Sequence, residues 1–175
     1  SYTASKFAVK GYIDSLRLEL IHEKAPVSVT LIQPSGINTP FGEHALNEMD
    51  GRSKVPPPVY SPDIVAKAIC RAAEHPTRDM IIGGAGRAMT LFATLFPNLS
   101  DQVFAAAFFK TALDKDRPKR PQDGGFDTGG GRGEVYGEQS MRQTSLYTTV
   151  RSNPLTALAG VALAAGAAGL ALKRR

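Results

Sequence analysis

Apolar positions recur every three or four residues along the first part of the chain. From Ala4 to about Lys24 they form one stripe, which consists of Phe7, Ala8, Tyr12, Ile13, Leu16, Leu20 and Ile21. This period is typical of an amphipathic helix. Pro26 ends the pattern, because proline cannot continue a helix. The chain is therefore predicted to begin with one long helix.

The pattern after this helix alternates between strands and helices. Residues 27–33 are uncharged and rich in β-branched side chains, which is typical of a strand buried on both faces of a parallel sheet. A helix is predicted from Pro62, with Ser61 as its cap. Residues 79–82 are predicted to form the last strand, and two short helices follow in 88–113. The order of elements indicates an α/β architecture.

The last third of the chain has a different composition. Gly, Pro and charged residues predominate in 114–152, so this segment is predicted to be a disordered linker. Residues 155–172 carry no charge and precede three basic residues. As a helix they would extend about 27 Å, just enough for a thin bilayer core. The predicted divisions are 1–113, 114–152 and 153–175, the last an Ala-rich apolar helix that either contacts a membrane or packs on protein.

The charge distribution and the cysteine content argue against several classes of function. Residues 1–109 contain ten basic and ten acidic residues, and 110–175 contain eleven against six, so the net charge of +5 lies in the tail. The tail lacks the interleaved aromatic side chains of a nucleic-acid platform, so we expect no nucleic-acid binding. The single Cys70, expected to be a packing residue, excludes an intrachain disulfide, and no Cys/His cluster has metal-ligand spacing. We expect no metal and a cytoplasmic location.

Two residues at the start of the first helix have chemistry that can be combined. Tyr2 and Lys6 are four residues apart, so they would be neighbours on one helix face. A cation within a few Å of a phenol favours the charged form of the phenol and lowers its pKa. Tyr2 is therefore a candidate general acid/base, assisted by Lys6, although this spacing also occurs by chance in many helices.

The wider sequence strengthens this candidate. The string Tyr2-Thr3-Ala4-Ser5-Lys6, the strand at 27–33 and the turn Pro34-Ser35-Gly36-Ile37-Asn38-Thr39 follow one another. They resemble the short-chain dehydrogenase/reductase family, in which a Tyr-x-Ala-Ser-Lys helix precedes a parallel strand and a Pro-Gly-x-x-x-Thr turn. The resemblance implies the C-terminal part of a doubly wound Rossmann-like parallel sheet, with added C-terminal helices. It also implies that the glycine-rich phosphate turn and an active-site Ser lie in an N-terminal half outside this sequence.

The resemblance implies hydride transfer between NAD or NADP and a carbonyl or secondary alcohol. Tyr2 would exchange the proton, and Lys6 would bond the nicotinamide ribose hydroxyls. Backbone groups around Ile37 would meet the nicotinamide carboxamide, and Thr39 would bond either the carboxamide or a phosphate oxygen. The cofactor-binding residues implied in this way are Tyr2, Lys6, Pro34, Gly36, Ile37 and Thr39. Ser35 is an addition to the simplest Pro-Gly pattern, and it leaves open which backbone groups face the cofactor.

Three further segments affect this interpretation. Residues 41–60 have no period and are predicted to be a long loop, which in the family covers the substrate, and His44 in it is a candidate substrate contact. The glycines at 83–86 do not fit Gly-x-Gly-x-x-Gly, because Met89 stands at the third position, so a tight turn is expected there. The Phe-rich 88–113 segment is expected to pack in the core or at the interface of a homo-oligomer. Closure over the active site, which would suit an apolar substrate, and contact with a membrane are the alternatives.

Two other hypotheses remain. A domain of this family that has lost catalysis could serve as a membrane-associated scaffold or binding protein, because hydride transfer requires no apolar tail. Residues 1–175 alone are also expected to be inactive, since half of the nucleotide site would lie outside them. The sequence leaves the substrate and the preference for NAD or NADP open.

Overall fold

A computed structural model describes residues 2–118 and 133–153. Helices and strands are interspersed along the described residues, which confirms the mixed α/β class. The helices are α1 (Tyr2–His22), α2 (Phe41–His44), α3 (Pro62–Glu74), α4 (Gly84–Leu95), α5 (Pro97–Thr111) and α6 (Leu146–Ser152); the strands are β1 (Leu31–Pro34), β2 (Arg52–Ser53), β3 (Asp79–Ile82) and β4 (Leu113–Asp114).

The strands β1 and β3 form a parallel pair, with Leu31 opposite Asp79 and Pro34 opposite Ile82. Their carboxyl ends therefore lie at the same edge, where ligands bind in open α/β sheets. β1 begins at Leu31, later than the strand predicted over 27–33. The backbone before it bonds elsewhere: the Val27 amide donates to the Ala25 carbonyl at 2.8 Å, and the Val29 carbonyl accepts from Arg17.

The core lies between this strand pair and α3. Its buried members and the half-buried residues packed on them are Tyr60, Ile64, Ala68, Met80, Ile82, Ile32, Ile37 and Val65. The Ser61 hydroxyl accepts a hydrogen bond from the Asp63 amide at 3.2 Å, which confirms the predicted cap of α3. Cys70, however, is exposed, because it lies on the side of α3 away from the core.

A buried arginine anchors α1 to the sheet. The Arg17 guanidinium donates to the carbonyl of Val29 at 3.3 and 3.2 Å and also to that of Arg78, so it bonds the segments that enter β1 and β3. The predicted apolar stripe is only partly covered, since Phe7 and Tyr12 are 72% and 65% exposed. Polarity alone would place Arg17 on the solvent side, and its seven percent exposure corrects that expectation.

The helices α4 and α5 pack together through phenylalanine rings. The ring centroids of Phe92 and Phe104 are 5.9 Å apart in an edge-on arrangement, and those of Phe104 and Phe108 are 5.4 Å apart. Both helices begin at backbone signals, Gly83 before α4 and Pro97 at the start of α5. Two helices are therefore present in the segment predicted to contain them.

The prediction of a disordered linker over 114–152 is wrong for the parts of that segment that the structure describes. Asp114 belongs to β4, which pairs antiparallel with β2. Residues 133–152 bond to the turn after β1 and end in α6, whose Thr148 is buried. Composition misled here because main-chain pairing, rather than an apolar core, orders the segment. The predicted long loop 41–60 likewise contains α2 and β2.

The predicted apolar helix at 155–172 lies outside the described residues. Across 2–118 and 133–153, no helix combines the length and the apolar character needed to span a membrane.

Candidate active site

Tyr2 and Lys6 lie side by side on the first turns of α1. The Lys6 ammonium nitrogen is 5.2 Å from the centroid of the Tyr2 ring, as expected for residues four apart on a helix. The Tyr2 side chain is 57% exposed, and Lys6 is exposed as well. The pair therefore combines a proton donor and a cation on a surface that a ligand can reach.

Phe41 connects this pair to the turn after β1. The rings of Tyr2 and Phe41 have centroids 5.4 Å apart and are tilted by 42°. Phe41 is the first residue of α2 and comes two residues after Thr39. The contact thus places the start of α1 beside the end of the turn. Sequence analysis missed Phe41, because a single Phe after a proline carries no periodic signal.

The turn itself continues β1 as an extended segment. The Tyr60 amide donates to the Gly36 carbonyl at 2.8 Å, and the Asn38 amide donates to the Tyr60 carbonyl at 2.9 Å. These two bonds form a parallel bridge between Ile37 and Tyr60. Backbone polar groups alternate in direction along an extended chain, so the amide of Ile37 points away from Tyr60.

That amide is the backbone donor of the turn most suited to a ligand. The Ile37 carbonyl accepts from the Thr39 amide at 3.0 Å, whereas the Ile37 amide has no hydrogen bond within the described chain. The Thr39 side chain is exposed. A carboxamide needs a donor for its oxygen and an acceptor for its nitrogen. The Ile37 amide and the Thr39 hydroxyl fit that requirement, so these residues could hold the nicotinamide end of NAD(P).

Gly36 is enclosed by neighbouring residues of the protein, whereas Pro34 is exposed. A β-carbon at Gly36 would lie 2.8 Å from Val55 Cγ1 and 3.3 Å from the carbonyl oxygens of Pro56 and Pro58. The glycine is therefore required by the packing of 55–58 against the turn, a reason independent of any cofactor. Pro34 is exposed at the end of β1.

Ser35 points towards β3. Its amide and its hydroxyl both donate to the carbonyl of Ile82, at 2.9 and 2.7 Å. Glycines in the turn after β3 leave room for the Ser35 side chain. A β-carbon at Gly86 would lie 2.8 Å from Ser35 Cβ, and a side chain at Gly83 would also collide with Ser35. The Gly83 amide donates to Thr148 Oγ1 at 3.0 Å. The glycines at 83–86 therefore serve close packing, as expected for a tight turn.

Residues 136–142 form a segment, the strap, that runs beside the turn and pairs with residues 59–61. The Arg142 amide donates to the Val59 carbonyl at 2.8 Å, and the Ser61 amide donates to the Arg142 carbonyl at 3.0 Å. Tyr60 thus forms parallel bridges to both Ile37 and Arg142. Sequence analysis missed the strap, because its only signal is the hydrogen-bonding capacity of a polar, glycine-containing segment.

An open groove lies next to the strap. Its volume is ≈ 590 Å³, and it is bounded by residues 54–59, the end of α5 and residues 139–142. Tyr2 and Lys6 do not line it. His44, the candidate substrate contact, is exposed at the end of α2. Among residues 2–118 and 133–153, no group of three or more His, Cys, Asp or Glu side chains is placed to hold a metal ion.

Comparison with known proteins gives two kinds of match. Residues 1–50, which include Tyr2, Lys6 and the turn, match the family model described as short chain dehydrogenase. Over 168 residues the chain is 40% identical to "Uncharacterized oxidoreductase YxnA" of Bacillus subtilis (strain 168), covering 93% of this chain and 46% of that protein. Over 101 residues it is 33% identical to "Hydroxysteroid 11-beta-dehydrogenase 1-like protein" of Xenopus tropicalis, covering 58% and 34%.

No solved structure matches the chain. The structure thus combines a parallel strand pair, the Tyr2–Lys6 pair and a turn at the carboxyl edge of that pair in an α/β protein. With the family match and these relatives, the chain belongs to the short-chain dehydrogenase/reductase family. It spans less than half the length of the two relatives described.

Proposed function

We propose that the protein containing this chain is an NAD(P)-dependent oxidoreductase that interconverts a carbonyl compound and a secondary alcohol. The observation that carries the proposal is the position of the Lys6 ammonium over the Tyr2 ring, 5.2 Å from its centroid. The family match over 1–50 and the names of the relatives support the same class of reaction.

Tyr2 is proposed to move the proton. In reduction its hydroxyl donates a proton to the substrate oxygen, and in oxidation the phenolate takes the proton from the alcohol. The positive charge of Lys6 stabilises the negative charge that remains on the phenol, which is electrostatic assistance at the atom where charge develops. Positioned proton transfer of this kind typically contributes about 10²–10⁴-fold to a rate.

The cofactor supplies or accepts the hydride at its nicotinamide ring when it is bound. This chain would bind and orient it. The Ile37 amide and the Thr39 hydroxyl would bond the carboxamide, and Lys6 would bond the ribose hydroxyls. Gly36 and Pro34 would keep the turn in place through packing and chain direction.

The substrate is proposed to be an apolar small-molecule carbonyl compound or alcohol. Phe41 lies against Tyr2 and is 57% exposed, so it presents an apolar surface beside the proton donor. One relative is named as a hydroxysteroid dehydrogenase-like protein, and a bulky apolar alcohol is consistent with such a surface.

The test is Tyr2→Phe in the full protein, with Tyr12→Phe as the control. Tyr12 is on the same helix and is 65% exposed, so Tyr12→Phe removes the same hydroxyl group at a position away from the Tyr2–Lys6 pair. We expect Tyr2→Phe to lower turnover of a carbonyl substrate by about 10²-fold or more and to leave cofactor binding within about twofold of wild type. Wild-type turnover in Tyr2→Phe would refute the proton-transfer role.

The non-catalytic alternative has its own outcome in this experiment. A protein that binds NADH or NADPH but oxidises no member of a broad alcohol panel, with or without Tyr2, would be a binding protein or scaffold of the same family.

A further inference from the structure

We propose that Asn38 and the strap position the turn on which NAD(P) binding depends, so that Asn38 acts as a positioning residue for cofactor affinity. This inference rests on the proposed function. It assigns a role to residues 136–142, which follow the Rossmann-like part of the chain and contribute no side chain to the Tyr2–Lys6 pair.

The Asn38 side chain is committed to the strap. It is 3% exposed, and its amide nitrogen donates to the carbonyls of Gly137 and Gln139 at 2.9 and 2.7 Å. Its amide oxygen accepts from the Gln139 amide at 3.2 Å. A buried amide bonded on both its nitrogen and its oxygen has a single preferred orientation. The backbone on either side of Asn38 is therefore fixed relative to the strap.

The main chain adds to this connection. The Gly137 amide donates to the Asn38 carbonyl at 3.0 Å, so strap and turn are bonded by both backbone and side chain. A β-carbon at Gly137 would lie 2.7 Å from Asn38 Oδ1 and 2.8 Å from the Thr39 carbonyl oxygen. Gly137 thus permits a close approach that any other residue would prevent.

Gln139 connects the strap to the other side of the turn. Its side chain accepts from the Val55 amide at 2.8 Å and donates to the Val55 carbonyl at 3.1 Å. Val55 in turn packs where a β-carbon of Gly36 would be. The turn is consequently held at Gly36 by the 55–58 segment and at Asn38 by the strap, and Gln139 links these two supports.

Ile37 and Thr39 flank Asn38 directly. Both residues are bonded directly to Asn38, so the backbone at Asn38 determines the direction of the Ile37 amide and the position of Thr39. Loss of the strap contact would leave both binding groups present but less well oriented. The affinity for the cofactor would therefore fall, whereas the rate of proton transfer at Tyr2 would stay the same.

The primary experiment compares Asn38→Asp with Asn98→Asp in the full protein. Aspartate at 38 keeps the shape, but an ionised carboxylate cannot donate to the carbonyls of Gly137 and Gln139. Asn98 is exposed on α5, so the same change there is the control. We expect the Kd and the KM for NAD(P) to rise about tenfold in Asn38→Asp, with kcat at saturating cofactor within about twofold. The KM for the carbonyl substrate should change little.

Gly137→Ala tests the strap from its own side, in case Asn38→Asp does not fold. It should raise the Kd for NAD(P) in the same direction without altering any residue of the turn. The amides of Gly137 and Gln139 should also exchange hydrogen faster in either variant.

The outcomes separate this inference from the proposed function. Unchanged Kd and KM for NAD(P) in both variants, with only a lower melting temperature, would mean that the strap is purely structural and would overturn the inference. If Tyr2→Phe keeps wild-type turnover while Asn38→Asp weakens cofactor binding, the proton-transfer role fails and the positioning role stands. A wild-type protein that binds neither NADH nor NADPH would overturn both.

Discussion

Ser35 lies so close to Gly83 that no side chain at position 83 could share the space with its hydroxyl. The contact joins the turn after β1 to the turn after β3 at the carboxyl edge of the sheet. Ser35 also donates from its amide and its hydroxyl to Ile82. The residue that departs from the simplest Pro-Gly pattern is thus the one that fixes the two turns to each other.

Gly83→Ala should therefore destabilise the protein. Gly83 has a φ of 97°, a sparsely populated backbone region that costs an L-residue roughly 1–3 kcal/mol, and the collision with Ser35 adds to that cost. We expect the free energy of unfolding to fall by about 2 kcal/mol or more, measured by urea denaturation. Gly11→Ala is the control: Gly11 lies within α1 with nothing near its missing β-carbon, so that change should stabilise the protein by about 0.5–1 kcal/mol.

Thr148→Val should expose the cost of one buried hydrogen bond. Thr148 is 4% exposed and accepts from the Gly83 amide at 3.0 Å. Valine has nearly the same shape but no acceptor, so the amide would be left unpaired at a cost of about 1–3 kcal/mol. Thr149→Val, on the exposed side of α6, should change the free energy of unfolding by less than about 0.5 kcal/mol. Equal effects of the two changes would show that the bond to Gly83 contributes nothing.

Lys6→Met should lower turnover even though methionine nearly matches the length of the lysine side chain. The substitution removes the positive charge that lies 5.2 Å from the Tyr2 ring centroid, and we expect a loss of about 10²-fold or more. Lys10→Met removes a lysine one turn further along α1, where it pairs with Asp14 at 2.8 Å. Steady-state assays of both variants distinguish a local effect from a general loss of charge: comparable losses in the two would contradict the role of Lys6.

Tyr136 should make the stability of the strap depend on pH in the alkaline range. Its hydroxyl donates to Asp63 at 3.0 Å, and this hydrogen bond, together with the negative charge of Asp63, raises the pKa of Tyr136 above its usual value of 10.0. A raised pKa in the folded state means that the contribution to stability is complete below about pH 10 and is lost as the pH rises through the folded pKa.

Absorbance of tyrosinate measures this directly. Subtraction of the Tyr136→Phe titration from that of wild type should give a curve with a midpoint above pH 10. Asp63→Asn should bring that midpoint back towards the usual value. A Tyr136 curve that titrates at or below pH 10 in the wild type would contradict the Asp63 contact.

Much of the fold could be predicted because its signals are local. The period of α1, the Ser61 cap of α3 and the proline at the start of α5 each concern residues close together in sequence. Tyr2 and Lys6 could be placed beside each other for the same reason, since helical spacing alone brings them together.

The remaining features depend on residues far apart in sequence. Arg17 is polar, yet it is buried because the carbonyls of Val29 and Arg78 need a donor. The strap is polar as well, yet Asn38, about a hundred residues earlier, supplies the bonds that order it. Composition reports apolar area and cannot report such pairings, which is why the segment 133–152 is predicted wrongly.

Arg17 lies fifteen residues after Tyr2 on α1, or about 22 Å along the helix axis. A straight helix held near one end transmits a small change of angle there as a larger displacement at the other end. An inherited substitution of Arg17, which donates the hydrogen bonds to the carbonyls of Val29 and Arg78, is therefore expected to lower the turnover proposed to depend on Tyr2 by misaligning the Tyr2 hydroxyl, although Arg17 lies far from that hydroxyl. Variant interpretation based on proximity to the reacting atoms would classify such a change as harmless.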